Sequence, residues 1–329
     1  MRRLGVMVLA GVCLIAAAAT AAASDDYPSR VVKIIVPYGP GGATDIVARV
    51  LGEELHQSLG QPVVVENRPG AYGVIAIESM SRAKPDGYTL MIGNVSTNVI
   101  TPLLFASKFT IKYDRDVVAV SRLVDVPAFF AATTRDFPPK TFAEFIAYAR
   151  QNPDKVRYGS VGVGSYPHFD TALLAKKAGL DLVHIPNKSG ASGVMNDMIR
   201  GDIHVSFINV ASSGPMVQGG LLRPLAVVND ARLPDYPEVP TMAEVGYAGV
   251  GTLAWQGLFA PAGMPKEILD KLHRAVIAAL KTPAVATAFE KQNFRVVPNA
   301  SIGEAKDWLA DELASWRRIT EEVKIEIVE

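Results

Sequence analysis

Residues 31–55 read VVKIIVPYGPGGATDIVARVLGEEL, and this stretch decides the fold. Val31 to Val36 is a β-branched run that predicts a buried strand. Ile46, Val47, Val50, Leu51 and Leu55 then recur at helical spacing and predict a helix that Gly60 closes. Between them, Pro37 to Gly42 holds three glycines and two prolines. A strand that enters a helix through such a loop is the opening unit of an α/β layer structure. It is also a natural anion site. The first N–H groups of a helix have no partner within it, and its dipole is positive at that end.

The same grammar recurs along the chain. Val63 to Val65 predicts a second strand, and Tyr88 to Ile92 a third, entered through the turn Pro85-Asp86-Gly87. Thr141 with Glu144 forms a capping box before a helix through Arg150. Val156 to Ser160 predicts a strand, followed by the glycine-rich Val161 to Ser165 and a helix to about Ala178. Leu182 to Ile185 is a strand, Pro186 to Gly190 a loop, and the next helix runs to Arg200, where Gly201 stops it. Ile203 to Ile208 is another strand. Further capping boxes stand at Thr241 with Glu244 and at Ser301 with Glu304. Pro265 starts a helix whose buried face is Ile268, Leu269, Leu272, Val276 and Leu280. Such alternation predicts α/β layers with largely parallel sheets. Two apolar passages, near Leu123 to Ala132 and Gly251 to Phe259, suit a chain that crosses twice between two lobes.

The chain has 329 residues, enough for one large domain or two ordinary ones, and is 49% apolar and 20% charged. Its 33 basic and 33 acidic residues balance, which gives no bulk attraction for nucleic acid or an anionic membrane. Met1-Arg2-Arg3, the apolar run Leu4 to Ala19 and Ala21-Ala22-Ala23 form a secretory signal peptide over residues 1–23, cleaved near Ala23. Losing Arg2 and Arg3 leaves 33 − 2 = 31 basic against 33 acidic residues, a mature charge of about −2. Cys13 is the one cysteine and lies inside that segment, so the mature chain has no disulfide, thiolate nucleophile or Cys-bound metal.

Three loops share the strand–loop–helix form: Tyr38 to Asp45, Ser160 to His168 and Pro186 to Ala191. Any one could be an ordinary turn. Three in one exported α/β chain point to a small anionic ligand, with Thr44, Ser160, Ser165 and Ser189 as added hydroxyls. Nucleotide readings fail on spacing. Thr44 stands where the third glycine of G-x-G-x-x-G belongs, and Asn187 precedes Lys188-Ser189 where a P-loop requires glycine. A hydrolase using Ser160 or Ser165 with His168 lacks the G-x-S-x-G elbow, because Tyr158 replaces the first glycine. His56, His168, His184, His204 and His273 show no paired metal spacing. His184 and His204 fall in strand-like runs as core or edge residues, and His56 and His273 fall on helices as solvated ones. Asp45, in the first helical turn, is favoured there by the dipole, and its charge suits bracing the loop better than touching an anion.

Several stretches together resemble a known family. They are Tyr27-Pro28-Ser29-Arg30, Ile34-Ile35-Val36-Pro37, Pro40-Gly41-Gly42-Ala43-Thr44-Asp45, Val65-Glu66-Asn67-Arg68-Pro69-Gly70-Ala71 and Lys84-Pro85-Asp86-Gly87-Tyr88-Thr89-Leu90. They continue at Tyr158-Gly159-Ser160 with Gly164-Ser165 and His168, then Val239-Pro240-Thr241 with Glu244 and Gly246, and Gly257 to Gly263. Their order and spacing resemble the receptors of tripartite tricarboxylate transporters, the Bug family, over essentially the whole mature chain.

The resemblance implies an α/β, two-lobe periplasmic binding protein type II fold. A ligand cleft lies between the lobes, and two segments cross over. Lobe 1 would be residues 24–126 and 252–329, and lobe 2 residues 127–251. It implies a monomeric, non-enzymatic periplasmic receptor without a cofactor. That receptor captures a small carboxylate and passes it to the large and small permease subunits of a tripartite transporter. The implied first-lobe contacts are Tyr38, Gly39, Pro40, Gly41, Gly42, Ala43, Thr44 and Asp45, with Asn94 and Ser96. The implied second-lobe contacts are Ser160, Val161, Gly164, Ser165 and His168, then Pro186, Asn187, Ser189, Gly190 and Ala191. A sensor for a signalling partner would share the fold. This chain departs from the family in three places. Asn187-Lys188-Ser189-Gly190 replaces a Tyr-Lys-Gly loop and removes an aromatic wall. Tyr72 stands where glycine is usual and offers an aromatic elsewhere. Ile208-Asn209 stands near where the family often carries an aspartate. Without that acid, Asn209 leaves a ligand ammonium no partner. The ligand expected is a di- or tricarboxylate or an aromatic acid.

Overall fold

The computed structural model describes residues 27–187, 189–323 and 325. The signal segment, Cys13 and Lys188 lie outside the described residues. The opening stretch folds as its pattern predicts. Strand β1 (Val32–Val36) leads through the glycine loop into helix α1 (Ala43–Leu59). Val47, Ala48, Leu51 and Leu55 are wholly buried on one face of α1. Each leucine so buried contributes roughly 1.5–3 kcal/mol. Gly60, in the left-handed region at φ 68°, ends the helix as expected.

The first sheet continues with β2 (Val63–Asn67), helix α2 (Val74–Ser81), β3 (Thr89–Asn94) and β4 (Val117–Val126). The second holds β5 (Ala128–Thr133), helix α3 (Phe142–Gln151), β6 (Val156–Ser160), α4 (Tyr166–Ala178), β7 (Leu182–Pro186), α5 (Gly190–Arg200), β8 (Val205–Asn209), α6 (Val210–Gln218) and β9 (Leu222–Val228). The chain then returns through β10 (Ala254–Pro261), α7 (Lys266–Ala279), α8 (Pro283–Glu290), the short β11 (Arg295–Val296) and α9 (Ile302–Glu322). The strand orders are β11-β4-β10-β3-β1-β2 and β7-β6-β8-β5-β9.

The sheets are mixed, where largely parallel ones were expected. Each has a parallel trio, β2-β1-β3 or β7-β6-β8, built by βαβ units. Each is then extended by antiparallel strands. The reason lies in the crossovers. β4 ends at Val126 in the first sheet and β5 begins at Ala128 in the second; β10 brings the chain back. The arriving strands β5 and β10 run against the parallel trios they join.

The capping boxes close. Glu144 N–H donates to Thr141 Oγ1 at 3.2 Å and Glu304 N–H to Ser301 Oγ at 3.1 Å, each opening a full helix. At Thr241 the same box forms, yet only a turn follows, because Gly246 turns left-handed at φ 88°. Helix α9 packs beside the first sheet and reaches the second unit. Trp316 meets Phe169 of α4 edge to face at 5.8 Å, and Lys176 Nζ donates to the Glu322 carbonyl at 3.0 Å.

Candidate functional site

The cavity between the two sheets has a volume of about 390 Å³. From the first sheet's side it is lined by Tyr38, Gly39, Pro40, Gly41, Gly42, Ala43, Thr44, Asn94 and Ser96. From the second it is lined by Val161, Tyr166, Pro167, Ser189, Gly190, Ala191, Ser192, Met195, Phe207, Ile208, Asn209 and Ser212. No charged side chain lines it among the described residues. Its polarity comes from hydroxyls, amides and the starts of α1, α4, α5 and α6, whose first-turn N–H groups lack intrahelical acceptors. A negative ligand is favoured there by oriented dipoles and carries no buried ion pair with it.

The first loop is held open from behind. Asp45 is 3% exposed and stands behind the lining. Its Oδ2 accepts from the Gly41 N–H at 3.0 Å and from Arg49 Nε at 2.9 Å. Its Oδ1 accepts from Arg49 at 2.9 Å and from the Asn67 amide at 2.9 Å, and the same amide donates to the Tyr38 carbonyl at 3.0 Å. Burial raises the carboxyl pKa, but Arg49, the Gly41 N–H and Asn67 together outweigh it and hold it below its usual range. Asn67 was not singled out from sequence as part of this brace. On the cavity side, the Tyr38 hydroxyl donates to Asn94 Oδ1 at 2.9 Å, and burial pushes that phenol up to about 12. A side chain added at Gly39, Gly41 or Gly42 would meet nothing within 4 Å, which is the space a ligand would use.

The second loop is folded on itself. Ser160 is 1% exposed, and its Oγ lies 2.9 Å from the Gly162 carbonyl, to which it donates, and 2.7 Å from His184 Nε2. Ser165 Oγ donates to the same carbonyl at 2.7 Å. The Gly164 N–H donates to His168 Nδ1 at 3.2 Å. His168 stacks on His184 with centroids 3.7 Å apart, and His184 stacks on Tyr158. Burial, and for His168 also the neighbouring ring, depress these imidazoles to about 3 and about 4, so both are neutral at pH 7. Ser160, Gly164, Ser165 and His168, expected as contacts, therefore do not line the cavity; between Ser160 and His168 only Val161, Tyr166 and Pro167 do. The histidine paired with a serine is His184, not His168. No acidic partner of that imidazole is found among the described residues, and the hydroxyl is buried.

The third loop repeats the brace of the first. Asn187 Oδ1 accepts from the Ser189 N–H at 2.8 Å and its Nδ2 donates to Asp197 at 2.6 Å. Asn187 and Pro186 stand outside the lining, whereas Ser189, Gly190 and Ala191 form part of it. Tyr72 does not line the cavity either. It adopts φ 58° and stacks on Phe105 at 4.3 Å. The aromatic walls are Tyr38, Tyr166 and Phe207. His273, expected on a solvated face, is buried and lies 3.1 Å from the Asn299 carbonyl through Nε2.

Two lobe-joining contacts flank the site. The Tyr166 N–H donates to Ser96 Oγ at 3.1 Å. Asp170 of α4 accepts from the Thr252 N–H at 2.9 Å and from its hydroxyl at 2.7 Å, where the chain returns to the first sheet. Burial raises the Asp170 carboxyl to about 7 against the lowering effect of those two bonds.

A family model described as "Tripartite tricarboxylate transporter family receptor" matches residues 47–325. BugT of Bordetella pertussis is 34% identical over 299 residues, 91% of each chain. The solved periplasmic binding protein BugD superposes with a TM-score of 0.83 at 30% identity, covering 91% of this chain and 99% of that one. A Rhodopseudomonas protein described as "R. palustris Rpa4515 with adipate" superposes at 0.85 and 29% identity, covering 92% and 100%. The architecture is the two-lobe α/β fold of periplasmic binding proteins. The matched family and its solved neighbours are solute-binding receptors, not enzymes.

Proposed function

The chain belongs to the tripartite tricarboxylate transporter receptor family, and from that premise we propose that it is an exported receptor for a small carboxylate. It works in the periplasm as a monomer once residues 1–23 are removed. It closes lobe 1 (24–126 and 252–329) against lobe 2 (127–251) on its ligand, a hinge-type population shift. The closed form hands the ligand to the large and small subunits of a tripartite membrane permease. The observation that carries this reading is the cleft itself: helix starts and neutral donors converge on it, and no charged side chain among the described residues lines it. One carboxylate sits on the first loop, Tyr38 to Thr44, held in shape by Asp45. The ligand's other end meets Ser189 to Ala191 and Asn209. With Asn209 where an acid would hold an ammonium, the ligand carries no amino group. The adipate complex of a relative supports a carboxylate ligand.

The test is mass spectrometry of ligand released from purified protein, then calorimetry with carboxylic acids and amino acids. Tight binding of an amino acid with none of carboxylic acids would overturn the reading. Turnover of ester substrates would overturn the receptor role. Capture of the permease from membrane extract in the presence of ligand, and not in its absence, tests delivery.

A further inference from the structure

Tyr166, the first residue of α4, was not expected in the site, yet it touches everything that matters at the second lobe's end of the cavity. Its backbone N–H is fixed on Ser96 Oγ of the first sheet's side at 3.1 Å. Its ring lines the cavity, and its hydroxyl meets Asn209 Oδ1 at 2.6 Å. Asn209 closes β8, and Ser212 follows on the first turn of α6. The Ser212 Oγ is buried against the cavity and has no hydrogen-bond partner among the described residues.

The two ends of an Asn amide are alike in shape and opposite in hydrogen bonding. The phenol decides between them. Burial, with Asp170 and Tyr38 nearby, raises the Tyr166 pKa, so the hydroxyl keeps its proton at neutral pH. That proton needs an acceptor, and Asn209 Oδ1 is the one it has among the described residues. A reversed amide would leave a buried O–H donor unsatisfied, which is disfavoured. The Asn209 Oδ1 is thus turned to Tyr166, and its NH2, which has no partner among the described residues, remains as a donor to the cavity. The orphaned Ser212 hydroxyl stands beside it on the same lobe.

We propose that Tyr166 is a positioning residue for ligand selection. By holding Asn209 Oδ1 it fixes the amide NH2 toward the cavity, and with Ser212 this makes a donor pair that accepts a second carboxylate and refuses an ammonium. The uncapped starts of α5 and α6 favour the same sign of charge. The inference rests on the carboxylate reading of the cleft and narrows it to diacids.

The experiment is calorimetry on the mature protein with straight-chain diacids of four to eight carbons, and with the ω-amino acids and monoacids of equal length. Wild type binds one diacid at least about 100-fold tighter than its ω-amino and monoacid counterparts. Tyr166→Phe keeps the ring and the fold, checked by thermal melting, and cuts the diacid-to-amino-acid ratio about tenfold. Ser212→Ala weakens the diacid by a similar factor and leaves the monoacid unchanged. Asn209→Asp reverses the preference toward the ω-amino acid. A Tyr166→Phe protein with the wild-type ratio overturns the proposal, as does wild type that binds monoacid and diacid equally. If wild type binds no acid of the panel, the narrowing to diacids is overturned; if tricarboxylates and aromatic acids also fail to bind, the carboxylate reading falls with it.

Discussion

The loop at residues 38–43 turns its backbone outward, whereas the loop at 161–165 turns its own inward. Both follow a strand, both are rich in glycine and small residues, and both open a helix. In the first, one buried carboxylate on the far side satisfies the Gly41 N–H, and residues 38–44 line the cavity. In the second, the Gly162 carbonyl collects two serine hydroxyls, and His168 takes the Gly164 N–H. Loop composition therefore does not decide which loop meets the ligand. The location of each loop's hydrogen-bond partners decides it.

Valine substitutions should split the two loops most widely. At Gly42 the backbone, φ −86° and ψ 168°, accepts any residue, and an added side chain enters open space. Gly42→Val is expected to weaken ligand about 100-fold or more, roughly 2.7 kcal/mol, with an unchanged melting temperature. At Gly159, on the strand before the second loop, a Cβ would stand 2.8 Å from Val194 and 2.9 Å from Ile203. Gly159→Val is expected to cost about 1–3 kcal/mol of stability through overpacking, seen in denaturant melts. If Gly42→Val bound normally, or unfolded the protein, the outward-facing loop would be misassigned.

The braces come next in size. Asp45→Ala orphans the Gly41 N–H and one face of Arg49, and is expected to cost about 1–3 kcal/mol and to weaken the ligand as well. Because the Asp45 pKa is depressed, its contribution is present above the unfolded pKa, near 4, and is lost as pH falls through the folded value. Asn187→Ala removes the corresponding brace of the third loop and should be milder, about 1 kcal/mol, since the side chain removed is neutral and the Asp197 carboxylate keeps Arg200 as a partner. Equal effects of the two on calorimetric affinity would remove the distinction between a charged and a neutral brace.

The strands and most helices were legible because periodicity is local. The first loop was legible too, since its brace Asp45 lies within one turn of it. The second loop was not. Its outcome depends on His184, which β7 delivers from another part of the chain, and Ser160 meets it only when β6 and β7 pair in parallel. Tyr166 escaped for the same reason: its partner Asn209 ends a strand 43 positions later. The antiparallel course of β5 and β10 was hidden because a crossover run and a parallel core strand are equally apolar.

The histidine stack of the inward loop sets a pH limit that begins at a higher pH than the loss of the Asp45 brace in the outward loop. His168 and His184 have folded pKa values below that of the unfolded chain, so they contribute stability above about 6.5 and lose it as pH falls toward 4. In the Asp170→Asn variant, where no opposing titration masks it, hydrogen exchange corrected for intrinsic rates should show peptides spanning 156–186 losing protection between pH 6 and 4.5 before those spanning 32–67. Simultaneous loss would place the weakness elsewhere.

Asp170 runs the opposite way within the same pH window, so the two titrations mask each other in wild type. Its folded pKa, about 7, lies above the unfolded value, so folding takes up a proton and the favourable contribution is full below about pH 4 and gone above 7. The ionised carboxylate accepts from the Thr252 N–H through one oxygen and from the Thr252 hydroxyl through the other; once protonated, it keeps the first bond and donates to the hydroxyl in the second. Asparagine reproduces that pattern with no charge. Asp170→Asn should therefore stabilise the protein at pH 8 by about 1–3 kcal/mol, part of the cost of ionising a carboxyl whose burial holds its pKa up at about 7. The gain should shrink to nothing by pH 4. In the variant the acid loss from the histidines stands alone and becomes steeper. Lower stability of Asp170→Asn than wild type at pH 8 would mean that the contact with Thr252 uses the charge, and that its two hydrogen bonds outweigh the cost of burying the carboxylate.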